Sequence, residues 1–162
     1  GCTIGGIPGA GARTEPLPGE EKFPYDRAVP CFAFNGQEAY CRQINPERSL
    51  HEVVNNGGKL WVLGCKTEEE GTAFETLNHG STEVLGAVFA IGLNKPLPAV
   101  INNQSNVSVF ASTFGMTVEQ QWPIAVRETQ NGVTRELKQQ ELPIRYMQSY
   151  TIPLYVGREN NN

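Results

Sequence analysis

Aspartate is nearly missing from this chain. Of 17 acidic residues, sixteen are Glu and one, Asp26, is Asp, which counts against chemistry built on clustered aspartates. Positive charge is also short: 13 Lys and Arg leave a net charge of −4 and a pI near 5.2. A basic nucleic-acid surface is therefore not expected. No apolar run approaches the roughly 18 residues that a membrane helix needs. Methionine is rare at 2, whereas Gly 17 and Pro 11 favour turns over long helices. The four cysteines, Cys2, Cys31, Cys41 and Cys65, show no CxxC or Cys-His spacing, so no zinc site is expected. With 39% apolar and 19% charged residues over 162 positions, the chain is too apolar for a disordered one and long enough for one core.

Four cysteines permit three pairings, and sequence alone does not choose among them. Cys41 and Cys65 read equally as a disulfide or as buried thiols acting as small hydrophobes. Cys2–Cys31 is the candidate disulfide, since it would tie down an N-terminal segment rich in Gly and Pro. No apolar signal segment opens the chain. The start Gly1-Cys2 points to a processed form or a fragment. Gly1 speaks against a lipid anchor, because lipoprotein cleavage leaves Cys first.

Residues 1–30 read as an irregular arm or cap, broken by Pro8, Pro16, Pro18, Pro24 and Pro30. Beyond it the pattern is a repeat. Segments beginning at Asn35, Asn56, Asn78 and Asn103 align at offsets of 21, 22 and 25 residues, with a weaker copy 28 residues on at Asn131. Each is a turn followed by an alternating strand. Ala39, Leu60, Thr82 and Val107 form one column. Cys41, Val62, Val84 and Val109 form the next on the same face, as a core column. Tyr40, Trp61, Glu83 and Ser108 point the other way. A small residue follows the strand at Gly64, Gly86 and Ala111. Such a period predicts an all-β parallel solenoid of about five short coils over 31–157. The asparagines Asn35, Asn56, Asn78 and Asn103 would form a stacking ladder of side-chain amides. Residues 158–162, ending in three Asn, read as a disordered tail.

The segments Trp61-Val-Leu-Gly-Cys-Lys-Thr-Glu, Gly80-Ser-Thr-Glu-Val-Leu-Gly and Arg127-Glu-Thr-Gln-Asn-Gly-Val-Thr-Arg-Glu-Leu carry a resemblance. So do Gly36-Gln37, Tyr40, Arg42-Gln43, Asn45 and Ile152-Pro-Leu-Tyr-Val-Gly157. In order and spacing, over about residues 35–157, they resemble the C-terminal coils of pectate-lyase-like, right-handed parallel β-helix proteins of bacteria. The resemblance implies a right-handed parallel β-helix, an extracellular or cell-surface location and a polysaccharide-related setting. It supplies no catalytic residues. Enzymatic members use aspartates as acid/base pairs or calcium ligands, and Asp26 alone in the arm matches neither.

Several candidates remain, each with a bland counterpart. Tyr40 and Trp61 in one outward column would bind carbohydrate or pack under the arm. Glu68-Glu69-Glu70 would bind calcium or form a solvated loop. Glu75, Glu83 and Glu128 would line a wall as acid/base groups, although Glu75 and Glu128 fall at equivalent places in the repeat, which favours a structural role. His51 and His79 lack a nucleophile partner. Asn103-Gln-Ser and Asn106-Val-Ser match the glycosylation pattern, and the ladder accounts for Asn103. A short solenoid exposes strand edges and core at both ends. The expected function is thus a non-catalytic, extracellular structural solenoid. It would self-assemble head to tail or form part of a larger β-helix protein, with no cofactor, metal or membrane span. The alternatives are a lyase- or hydrolase-derived module acting on acidic polysaccharide, and a carbohydrate-binding module.

Overall fold

The computed structural model describes residues 29–47, 49–68, 71–90, 97–115, 117, 120–144 and 149–159. The arm up to residue 28 (with Cys2 and Asp26), Glu69, Glu70 and the final three Asn lie outside them. Eleven strands run in chain order among the described residues: β1 (Phe32–Asn35), β2 (Glu38–Ile44), β3 (His51–Asn56), β4 (Lys59–Glu68), β5 (Thr72–Leu77), β6 (Ser81–Ala90), β7 (Pro98–Asn103), β8 (Asn106–Phe114), β9 (Ile124–Gln130), β10 (Val133–Lys138) and β11 (Thr151–Gly157). Odd strands β1-β3-β5-β7-β9 build one sheet, with β10 at its edge. Even strands β2-β4-β6-β8 build the second, with β11 at its edge. Pairing within β1 to β9 is parallel throughout. The chain is a parallel β-solenoid of about four turns.

Alternation places the core. Cys41, Val62, Val84 and Val109 are register partners across four strands, and all are at most 2% exposed. Each such valine contributes about 1.5–3 kcal/mol of burial. The six-stranded sheet faces them with Val53, Phe74, Val100 and Val126, also register partners and buried. Phe89 fills the interior between Phe74 and Trp122, with ring centroids 6.1 and 6.2 Å away. A second inward column is polar: Asn55, Thr76, Asn102 and Glu128. Two of its members are satisfied locally, as Asn55 Nδ2 donates to Gly58 O, Ser81 O and Thr82 Oγ1, and Thr76 donates to Thr82, whereas Asn102 Oδ1 has no partner among the described residues.

The even strands turn a corner where φ is positive, at Gln43 (52°), Gly64 (79°) and Gly86 (81°). This left-handed conformation suits glycine and accounts for two of the small residues seen in the repeat. Ala111 is not at the corner: it pairs with Ala87, and Gly86 has no partner in β8. The fourth coil is one residue shorter there.

The fifth copy does not form a coil. Asn131 and Gly132 both have positive φ (51° and 76°). That is the two-residue hairpin geometry that Asn-Gly prefers, and it folds β10 back antiparallel on β9. In the second turn Asn56 stays extended and only Gly57 is left-handed, so the chain passes on to the other sheet. β11 likewise pairs antiparallel with β8, through an irregularity between Ile152 and Tyr155. Both sheets thus finish on reversed strands. The other end finishes on β1 and β2, the outermost strands. Its interior residues are covered nonetheless: Phe34, Cys41 and Ile44 are 3%, 2% and 7% exposed. Among the described residues, the core exposed at both ends that the repeat predicts is therefore absent.

Candidate functional site

The outer face of the five-stranded sheet carries the most distinctive surface. Register stacks Tyr40, Trp61, Glu83, Ser108 and Val156 in one outward column, and Arg42, Leu63, Leu85 and Phe110 in the next. Tyr40, Leu63, Leu85, Phe110 and Val156 are each 46–61% exposed. A groove of about 480 Å³ is lined by Tyr40, Arg42, Trp61, Leu63, Glu83 and Leu85, with Cys41 and Val62. Apolar exposure gathered in one patch is the kind of surface feature that calls for an explanation. Leu63, Leu85 and Phe110 escaped the sequence reading. The signal was there, since each follows an inward valine and must point outward with Trp61 and Glu83.

Tyr40 and Trp61 stack on each other, with centroids 4.7 Å apart and an interplanar angle of 6°. That distance matches the spacing of neighbouring strands, so the rings pile along the solenoid axis with their faces against each other. They do not lie flat as a platform on which a sugar ring could rest. Tyr40 also donates to Glu38 Oε1 at 2.7 Å, and this hydrogen bond raises its pKa above the usual value.

The asparagine ladder has three rungs. Asn78 Nδ2 donates to Asn56 Oδ1 at 2.7 Å, and Asn56 Nδ2 donates to Asn35 Oδ1 at 3.3 Å. Asn103 is exposed and takes no part. Backbone register sets Leu77 opposite Asn56, so Asn78 reaches the ladder from one position later, in a turn one residue longer.

The three glutamates are kept apart. Glu75 lies on the outer face of the six-stranded sheet, 2.7 Å from His51 Nδ1. Glu83 lies on the outer face of the other sheet. Glu128 points inward at the reversed end, where Tyr155 donates to its Oε1 at 3.0 Å and Asn102 Nδ2 bonds both. Burial, then the nearby Glu128, pushes the Tyr155 hydroxyl pKa up, against the lowering effect of Asn102. Glu75 and Glu128 are not equivalent positions: Glu75 aligns with Ile101 and Arg127, one residue from Glu128 and hence on the opposite face. Glu68 contacts Lys66 at 2.5 Å, which also reaches Glu47 at 2.9 Å. His79 pairs with Glu159 at 2.5 Å. Among the described residues no three His, Cys, Asp or Glu gather as a metal-holding group.

Cys31 and Cys65 are buried free thiols, and Cys41 is buried as well. Cys31 donates to Glu47 O at 3.2 Å, and burial raises its pKa to about 11. Burial raises that of Cys65 further. Cys2, the other half of the candidate disulfide, lies outside the described residues. No family model, curated protein or solved structure matches the chain.

Proposed function

We propose that the chain is a non-catalytic structural β-solenoid that docks further coil onto its β1/β2 end. The observation behind this is the state of that end. Among the described residues nothing pairs with the outer edges of β1 and β2, and the amide ladder stops there on Asn35, whose Nδ2 has no partner. The aromatic stack stops there too, on Tyr40 at 61% exposure. Edge amides, ladder and ring face all invite one more parallel coil. The rest of a larger β-helix protein supplies it, or a second copy. Simple head-to-tail growth meets antiparallel β10 and β11 at the opposite end. A kinship with pectate-lyase-like β-helix proteins, and with it an extracellular location, is part of the proposal. It rests on the order of the motifs and on the parallel coils. The polysaccharide alternatives have less support, because Tyr40 and Trp61 stack along the solenoid axis and do not lie side by side as a flat platform.

Amide hydrogen exchange, read strand by strand beside sedimentation, tests the proposal. Fast exchange along the outer edge of β2 in a monomer, or protection there that appears only on assembly, supports it. Slow exchange at β2 in a monomer means the chain caps itself, and the proposal fails.

A further inference from the structure

We infer that the outer face of the five-stranded sheet is a self-complementary surface on which a second copy of this chain docks face to face. This surface is distinct from the β1/β2 end. Its centre is a two-by-three array: Tyr40, Trp61 and Glu83 in one column, Arg42, Leu63 and Leu85 in the other. The columns stand about 6.6 Å apart along the strands and the rungs about 4.8 Å apart. The same six side chains line the 480 Å³ groove. Arg42 and Glu83 occupy opposite corners, and neither enters an ion pair within the chain among the described residues. Tyr40 and Leu85 occupy the other two corners.

Two copies packed face to face are related by a two-fold axis lying in the interface. Three directions for that axis can be compared. Along the strands, it sets Arg42 over Leu85 and Tyr40 over Glu83 of the second copy, burying both charges against apolar or aromatic groups. Along the solenoid, it sets Glu83 over Leu85. Along the Tyr40–Leu85 diagonal, it exchanges the two remaining corners, so Arg42 meets Glu83 of the second copy and Glu83 meets its Arg42. Tyr40 and Leu85 then lie over their own counterparts, Trp61 over the Tyr40–Arg42 edge and Leu63 over the Glu83–Leu85 edge of the second copy. Of the three, only the diagonal brings each charge within side-chain reach of its opposite. The strands of the two copies then cross steeply, in the orthogonal class of sheet packing. An unpaired buried charge is costly and a paired one is tolerated, so the charges fix the register while the apolar centre supplies the attraction.

Charge exchange between copies tests this on the full chain, by sedimentation equilibrium over about 10–500 µM, a range that spans micromolar association. The native chain is expected to form a reversible dimer. Arg42→Glu and Glu83→Arg each place like charges at two symmetric contacts and should weaken self-association about a hundredfold. Mixing the two variants restores both contacts and should restore the dimer as a heterodimer. Both positions lie on the surface, and circular dichroism confirms the fold of each variant. A native chain that stays monomeric across the range overturns the inference. So does a dimer that survives either charge change, which would place the contact elsewhere, or a mixture that stays monomeric. If the chain's own N-terminal residues cover this face instead, Leu85→Glu will lower the melting temperature of a monomer, and that outcome also overturns it.

Discussion

The two ends of the solenoid are finished in different ways. At one, β10 and β11 run against the parallel direction and close both sheets. Tyr150 and Trp122 plug the interior there, and a half-buried Asn102–Glu128–Tyr155 cluster is held under Gly157. At the other, β1 and β2 keep the parallel direction, and among the described residues every ladder running through the coils stops there. Closing an end takes residues with long-range partners. Leaving it open takes only the repeat. The reversed end should therefore be the one that single substitutions damage most in the isolated chain.

The largest effect is expected at Tyr150. Its side chain is 0% exposed, its hydroxyl donates to Trp122 O at 3.1 Å, and its backbone exchanges hydrogen bonds with Thr113. Tyr150→Ala should cost about 3–5 kcal/mol, the range for removing a large buried aromatic, read from the urea midpoint at unchanged slope. A loss under about 1 kcal/mol would show that this end does not depend on its plug.

Cys31 gives a chemical probe of the opposite end. Burial, against the backbone bond to Glu47, raises its pKa from 9.0 to about 11. In the reduced protein its thiolate fraction at pH 8 is about a hundredfold below that of an ordinary thiol. Alkylation should therefore be slowed by at least that factor, rise tenfold per pH unit, and precede that of the more strongly shifted Cys65. The folded thiol keeps a proton that the unfolded one releases. Its contribution to stability is thus full below pH 9 and fades as pH rises from 9 to 11. Mass spectrometry of labelled peptides reads the rates. In unreduced protein, complete protection of Cys31 would reveal a disulfide, for which Cys2 is the candidate partner.

Gly157 sharpens the account of the closed end. A Cβ there would overlap the Tyr155 hydroxyl, Asn102 Nδ2 and Glu128 Oε1. Gly157→Ala should cost about 1–3 kcal/mol by overpacking and by disturbing a half-buried polar cluster. A neutral result would mean that β11 can shift outward freely and is not tightly seated on β8.

Much of the coil pattern was legible because period-2 alternation is strict where one face is buried. It placed Val62, Val84 and Val109 in a single register, and it set Tyr40 beside Trp61. It failed where the same letters take two conformations. Asn56-Gly57 and Asn131-Gly132 look alike, yet only the second bends back. What decides is the strand that follows. Leu60 and Val62 can line a core, whereas Thr134, Arg135, Glu136 and Lys138 cannot, and β10 is exposed along most of its length. The apolar outer face was legible by the same alternation, but Leu63, Leu85 and Phe110 sat beside stronger inward signals. Glu75 and Glu128 were misaligned because one residue of offset, invisible in a loose repeat, moves a side chain through the sheet.

The smallest expected effect tests the open end most directly. Asn56 is the middle rung of the amide ladder and makes two side-chain bonds along it, one to Asn35 and one from Asn78. Asn35 is the end rung and makes one. All three rungs are at the surface, where each bond is worth only about 0.5 kcal/mol net. Asn56→Ala should then cost about 1 kcal/mol and Asn35→Ala about half of that, a difference that melting temperatures of an otherwise identical pair can resolve. The ratio matters more than either value. If Asn35→Ala costs as much as Asn56→Ala in a monomer, the Nδ2 group of Asn35 already has a partner and the β1/β2 end is not open. If the two become equal only at concentrations where the chain associates, another coil has arrived at that rung, and the ladder that stops in the single chain runs on through the assembly.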